Sequence, residues 1–356
     1  MKVAIDVSPL KTAHRFRGIG AYTQNLITAL QSIKLADFEV ILIEKEPIPK
    51  DCDLIHYPFF DLFFATLPLI RKKKTVVTIH DTIPLVFPKH YPPGIKGRLR
   101  LETQKTSLRT VDAVITDSQN SKKDLFKYLN YLKEKIYVIP LAPGKEFRPI
   151  TNRQSLVATK QKYQLPDAFV LYVGDVNYNK NIPGLVKTCE KIKVPLVIVG
   201  KQAVEKNINR LHPENKDLVW LQNRCQSLIT NHHLPITLLG FVPTKDLVAI
   251  YNLATVYCQP SFYEGFGLPV LEAMACGCPV VAANTSSLPE ICGKAAVMVN
   301  PYDINDIANG LEKVIRETKI RNTLKEKGLV WVKNFSWEKA ADQTIKVYQN
   351  VYQENR

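Results

Sequence analysis

No stretch of about 18 consecutive apolar residues occurs in the chain, so nothing in it predicts a helix spanning a bilayer. The opening Met1-Lys2-Val3-Ala4-Ile5-Asp6 reads as a strand and lacks the long apolar region of a signal peptide. Both absences lead to the expectation of a cytoplasmic protein. Paired cysteines are missing too: the seven cysteines, at positions 52, 189, 225, 258, 276, 278 and 292, form an odd set without Cys-x2-Cys spacing. This argues against a disulfide framework or zinc ribbon and predicts buried thiols in a reducing compartment. Cys276 and Cys278 flank Gly277 at an expected helix end, where small residues pack well, so no metal is assigned to them. Short-period repeats and low-complexity tracts are absent, which removes solenoids.

Acidic residues are comparatively few, 33 against 48 lysines and arginines, leaving a formal net charge of +15. The excess lies mainly in the first half, with the cluster Arg71-Lys72-Lys73-Lys74 and the spaced series Lys96, Arg98, Arg100, Lys105 and Arg109. Such patches attract anionic surfaces, although a solvated face is an equally good reading of them. Basic residues are not interleaved with aromatics in any nucleic-acid-binding module, so no nucleic-acid partner is expected.

What the chain does contain is an alternation of short apolar runs with amphipathic stretches, the pattern of parallel sheets built from strand-helix-strand units. Strands are predicted at 3–7, 39–43, 54–56, 75–79, 113–116 and 136–139. A second series is predicted at 169–173, 195–199, 236–239, 256–259, 279–282 and 296–299. Predicted helices cover 21–32, the stretch from the caps Ser118 and Ser121 to Leu129, 181–191, 244–252, 268–276, 304–317 and 337–352. Pro140, Pro143 and Pro149 interrupt the pattern, and the length suits two α/β domains. The expected division is 1–150, a linker at 151–166, 167–335, and a terminal helical segment at 336–356.

The segment Tyr263-Glu264-Gly265-Phe266-Gly267-Leu268-Pro269-Val270-Leu271-Glu272 sets two carboxylates around a glycine-rich turn. Gly265 and Gly267 let main-chain N–H groups approach a ligand closely. A helix starting at Leu268, with Pro269 in its first turn, would turn its positive dipole end and amides toward an anion such as a diphosphate. Like charges repel, so Glu264 suits sugar hydroxyls, and Glu272, one turn further on, suits a second diol. The spacing therefore fits a sugar, a diphosphate and a ribose.

Glu264 and Glu272, eight positions apart around Gly-Phe-Gly-Leu-Pro, resemble the E-x7-E signature of glycosyltransferase family 4. The resemblance continues through Ala275-Cys276-Gly277-Cys278-Pro279-Val280-Val281-Ala282 and Ser286-Ser287-Leu288-Pro289-Glu290, and extends from Gly18-Ile19-Gly20 to Phe335-Ser336-Trp337-Glu338. It implies the GT-B fold: two doubly wound, Rossmann-like domains facing a cleft, with the C-terminal helix crossing back to the first. It also implies a retaining transferase that uses a nucleotide sugar and requires no metal or other cofactor. The stretch from Tyr263 through Glu290 looks most like bacterial mannosyltransferases of polysaccharide assembly. GDP-mannose is accordingly the expected donor, and a glycan or lipid-linked hydroxyl the acceptor.

By the same resemblance His80 lies near the transferred sugar, at the end of the strand Thr75-Val76-Val77-Thr78-Ile79. Its neighbour Asp81 either orients it or caps the next turn. Gly18 and Gly20 let donor and acceptor approach the backbone, with Arg15 and Arg17 as candidate helpers. The third position of a dinucleotide fingerprint holds Thr23 rather than glycine, which argues against a nicotinamide enzyme. Gly174 opens the loop that grips the donor phosphates through Lys180, whereas Asp175 and Asn179 occupy positions where relatives carry basic side chains. Gly200 and Gly240 end strands and are expected to leave room for the nucleobase. Amides of Gly265, Phe266, Gly267 and Leu268 hold the diphosphate. Asp51-Cys52-Asp53 spells the metal-diphosphate motif of a different transferase fold, but precedes a strand and reads as a turn.

Alternatives to a GDP-mannose transferase are a UDP-hexose transferase, a sugar-nucleotide epimerase and, in a different class, a basic nucleic-acid-binding protein. An anionic inner membrane face is the favoured partner of the basic half, making the protein peripheral there.

Overall fold

The computed structural model describes residues 1–12, 18–35, 37–44, 47–230 and 236–354, without the side chains of 227–230. Two compact units emerge: Met1–Pro88, Pro92–Ala142 and Phe335–Arg356 form one, and Lys89–Tyr91 with Pro143–Asn334 form the other. The chain leaves the first unit inside the proline-rich stretch, eight residues before the expected end at 150. Within the expected linker lies a helix, Arg153–Lys162, capped by the Asn152 side chain accepting from the Ser155 N–H.

The first unit holds six parallel strands: β1 (Lys2–Asp6), β2 (Glu39–Ile43), β3 (Leu54–Tyr57), β4 (Lys74–Thr78), β5 (Ala113–Thr116) and β6 (Ile136–Val138), in the order β2-β1-β3-β4-β5-β6. In β3 and β5 every residue is buried, as both-face coverage by helices requires of a parallel sheet. The C-terminal helix Trp337–Gln353 packs in this unit, turning Ala340, Ala341, Ile345, Val347, Tyr348 and Val351 inward as its periodicity predicts. Tyr348, fully buried, hydrogen-bonds His56 Nδ1 at 2.6 Å.

Strands β7 (Val170–Val173), β8 (Leu196–Val199), β9 (Ile236–Gly240), β10 (Val256–Gln259), β11 (Val280–Ala283) and β12 (Ala296–Val299) form the second parallel sheet, ordered β12-β11-β10-β7-β8-β9. This is the order of a dinucleotide-binding sheet, with its reversal between β7 and β10. Open sheets of this kind bind ligands beyond the carboxyl ends of the two strands flanking the reversal. The loops that matter are therefore those beginning at Gly174 and Pro260.

Glycines close these strand ends for a packing reason. Gly200 follows β8, and a Cβ placed on it would lie 2.2 Å from the Gly174 carbonyl oxygen. Glycine is thus needed at position 200 because the Gly174 backbone passes where a side chain would begin. Asp51-Cys52-Asp53 sits in the turn before β3: Asp53 accepts the Lys2 N–H at 2.7 Å and Asp51 pairs with the Lys2 ammonium at 2.6 Å. Both carboxylates fasten β1 at the amino end of the sheet, away from the carboxyl edge.

Replacing Gly200 with alanine should separate the ends of β7 and β8. A loss on the order of 1–3 kcal/mol, the cost of overpacking, is expected in thermal or urea unfolding, and an unchanged melting temperature would contradict the close approach.

Candidate functional site

In the second unit, the loop after β7 turns through Gly174, whose φ of 148° disfavours a side chain, into a short turn at Tyr178–Lys180. Asn181 then adopts a left-handed φ of 54° and opens the helix Ile182–Ile192, with Pro183 in its first turn. Two asparagines fasten this loop to the one after β10. Asn179 donates to the Tyr263 carbonyl at 2.9 Å and accepts from the Tyr91 hydroxyl at 2.6 Å, while Asn181 donates to the Pro260 and Pro301 carbonyls. Asn179 is buried, so this position, where the resemblance led to the expectation of a basic group, is used here for loop geometry.

These staples bring Lys180 against Glu264. The ammonium lies 2.8 and 2.7 Å from the two carboxylate oxygens, and Glu264 Oε1 also accepts from Gln259 Nε2 at 2.7 Å and Ser261 Oγ at 2.6 Å. Glu264 is only 5% exposed, and burial of an anion requires such partners. Lys180 and Glu264, assigned by sequence to different parts of the ligand, are each other's partner in the structure.

The turn behind Glu264 is held from the loop after β11. Ser286, itself at φ 53°, accepts the Glu264 N–H, and Ser287 Oγ donates to the Glu264 and Phe266 carbonyls. Gly267 takes φ 103°, and a Cβ on it would meet Leu288 Cδ2 at 2.8 Å. The helix Leu268–Ala275 begins immediately, with proline in its first turn as expected. Glu272 sits in its second turn and accepts from the Tyr251 hydroxyl at 3.0 Å. Burial raises its carboxyl to about 7, the Tyr251 hydrogen bond only partly opposing it and Glu146 adding to the rise.

The first unit presents a second constellation at the carboxyl edge of its sheet. His80, just beyond β4, holds Asp117, just beyond β5, through Nδ1···Oδ2 at 2.7 Å. Burial disfavours a charged His80 ring, but Asp117 more than offsets it, so the histidine titrates above its ordinary value. Asp81 accepts the Ile83 N–H at 3.0 Å, at the start of the short helix Ile83–Val86, and its charge also acts on His80. Gly18 and Gly20 form the first turn of the helix Gly18–Ser32, which starts three residues earlier than predicted. Among the described residues, a Cβ on Gly18 would meet nothing within 4 Å. Arg15 and Arg17 lie outside the described residues.

Sequence reading missed Gln259, Ser261, Tyr251 and Asp117. Each of the first, second and fourth is a polar residue at the end of an apolar strand, a signal the carboxyl-edge rule makes usable. Tyr251 carried no such mark.

The O-antigen chain mannosyltransferase B of Escherichia coli is 32% identical over 290 residues, spanning 78% of this chain and 71% of that protein. The chain belongs to glycosyltransferase family 4. Residues 39–142 match the family described by that name, and residues 158–331 match glycosyl transferases group 1. The serotype-specific mannosyltransferase WbdA of Escherichia coli is 31% identical over 80% of this chain, which spans only 34% of that longer protein. Family 4 membership makes the protein a glycosyltransferase. Among solved structures, sucrose-phosphate synthase from Thermosynechococcus elongatus aligns with a TM-score of 0.74 at 21% identity, covering 99% of this chain and 98% of that one. WaaG, a glycosyltransferase involved in lipopolysaccharide biosynthesis, aligns with a TM-score of 0.69 at 12% identity, covering 97% and 99%. The shared architecture is GT-B, and the family 4 segments carry the loops just described.

Because the folded carboxyl of Glu272 titrates higher than an unfolded one, its ionisation opposes folding. The penalty is absent below the ordinary carboxylate range, grows as pH rises toward about 7 and is complete above it. Glu272→Gln should therefore raise the melting temperature of the free protein at pH 8 more than at pH 5. Equal shifts at both pH values would show that Glu272 is not desolvated.

Proposed function

We propose that the protein transfers a mannosyl residue from GDP-mannose to a hydroxyl of a glycan or lipid-linked acceptor in polysaccharide assembly, with retention of the anomeric configuration. The observation that carries this reading is the Lys180–Glu264 pair at the strand reversal, where a doubly wound sheet binds its ligand. Relatives named as mannosyltransferases supply the sugar.

In this reading Lys180 arrives charged and positioned, and its ammonium stabilises the departing diphosphate as a point charge. The amides from Gly265 to Leu268 share that charge. Glu264, held by an ammonium and two neutral donors, is a poor nucleophile, which suits a same-face reaction in which the diphosphate itself helps take the acceptor proton. A carboxylate has about four lone-pair sites, and the four hydrogen bonds from Lys180, Gln259 and Ser261 occupy them, so a sugar hydroxyl takes the place of Lys180 at Glu264 when the ammonium turns to the diphosphate. Ionised Glu272 accepts from the ribose diol. Catalysis then rests on positioning and electrostatics. UDP-hexose is the second reading, favoured by the likeness to Anabaena HepE, solved with UDP and glucose at a TM-score of 0.72.

The membrane reading concentrates on one helix. Among the clustered basic residues, Arg71 is engaged with Pro68 and Ser107, Lys73 with the Lys50 and Cys52 carbonyls, and Lys74 with Asp112. Much of that run serves the fold. The helix Gly94–Leu108 differs: Ile95 is 81% and Leu99 67% exposed, one turn apart, beside exposed Lys96, Arg98 and Arg100. Phe64, also exposed, lies under the Arg100 guanidinium. Apolar tips flanked by cations fit an anionic lipid surface, whereas a second copy of so basic a chain would be repelled. No helix among the described residues is long and apolar enough to cross a membrane.

Two experiments test these readings. GDP-mannose at 100 times its Kd should stabilise the protein by about 2.7 kcal/mol and be consumed with acceptor, and Glu264→Gln should abolish transfer. If neither GDP- nor UDP-sugars raise the melting temperature, the donor assignment fails. Vesicles containing phosphatidylglycerol should retain the protein, neutral vesicles should not, and the pair Ile95→Ser and Leu99→Ser should weaken retention at least about tenfold. Equal retention of that variant would remove this helix from the surface.

A further inference from the structure

Among the described residues, three polar atoms at the carboxyl edge of the first sheet are buried without a partner at hydrogen-bond geometry: His80 Nε2, Asp117 Oδ1 and Thr82 Oγ1. Buried polar groups are nearly always paired, so exceptions clustered beyond two adjacent strands call for a missing polar partner. Asp117 has 3% of its side chain exposed, and its other oxygen holds His80 Nδ1. The register explains their meeting. Thr78 of β4 pairs with Ile115 of β5, and His80 and Asp117 each lie two residues further on.

We propose that Asp117 is the positioning residue of His80, its Oδ2 holding the Nδ1–H so that the neutral ring presents an Nε2 lone pair to a substrate hydroxyl. This rests on the reading that His80 lies at the site of sugar transfer. A purely structural pair would have both ring nitrogens firmly bonded; here the inner one is fixed on Asp117 at 2.7 Å, while the outer one meets no partner at hydrogen-bond geometry and the Pro58 carbonyl acts on the ring only weakly. The ring is also held from its side. Tyr22 meets it edge-on, with ring centroids 4.6 Å apart, and the Tyr22 hydroxyl is fixed on Thr78 Oγ1, which also engages His56 Nε2 at 2.8 Å.

The groups facing His80 are Asp117 beyond β5, Asp81 beside it in the chain, the Pro58 carbonyl and His56 from β3 and its loop, and Tyr22 from the helix Gly18–Ser32. His56 does not compete as a cation, because burial pushes it down to about 3. Asp117 is thus the main support of the charged form. Protonation would turn Nε2 from acceptor to donor, so transfer should fall as pH drops through the His80 pKa.

Nitrogen-15 NMR of the His80 ring across pH, together with pH profiles of kcat/KM, tests the assignment. Wild type should show the Nδ1–H tautomer when neutral. Asp117→Asn should lower the His80 pKa by about one unit or more, move the acid limb to lower pH by the same amount and reduce kcat about tenfold or more. Adding it to His80→Ala should cost little further. An Nε2–H tautomer in wild type, or an Asp117→Asn protein with unchanged titration and acid limb, overturns the proposal. The tautomer is read in wild type, so the result stands even if the variant does not fold. Loss of all donor turnover in wild type would sink the functional reading while leaving the NMR result decisive for Asp117.

Discussion

The buried Glu264 carboxylate is the constraint on which the second unit's ligand edge depends. An anion removed from water must be compensated, and its partners come from separate places: Lys180 after β7, with Gln259 and Ser261 at the end of β10. Meeting that requirement fixes three points of two loops at once. Ser286 and Ser287, after β11, then secure the Glu264 backbone. One charge thereby defines the position of the ammonium and of the turn that opens the helix Leu268–Ala275.

The two units solve the same problem with different chemistry. In the second, an acid is held by a base and neutral donors. In the first, a base, His80, is held by an acid, Asp117, through one ring nitrogen, and its other nitrogen meets no partner at hydrogen-bond geometry. Both arrangements stand beyond the carboxyl ends of adjacent parallel strands, where side chains leave the packed sheet without losing backbone hydrogen bonds. In the second unit, close packing around the site is supplied by residues that cannot be enlarged, Gly200 against the Gly174 carbonyl and Gly267 against Leu288.

Much of the fold was legible because parallel strands buried on both faces are near-continuous apolar runs, and all twelve were found within a residue or so of their bounds. The helices Gly94–Leu108, Arg153–Lys162, Lys216–Thr230 and Thr318–Trp331 were not. The first mixes exposed Ile95 and Leu99 with basic residues, blurring the apolar stripe that marks a helix. The second falls among prolines and polar residues that resemble a connection. Of the site, glycines and carboxylates stood out because spacing along one turn is a local property. Asn179 looked like a lost cation, and only its bonds to Tyr263 and Tyr91 show what replaced it.

The sequence by itself determined the two α/β halves, the return of the C-terminal helix, the turn at Gly267 and the family, because apolar periodicity and local motifs are carried by residues near one another in the chain. Tertiary structure alone decided that Lys180 pairs with Glu264, that Asp117 rather than Asp81 holds His80, and that Arg71 and Lys73 are occupied within the fold. Those pairings join residues up to 84 positions apart. They depend on strand order and register, which set which chain ends become neighbours and which are not written in any local spacing.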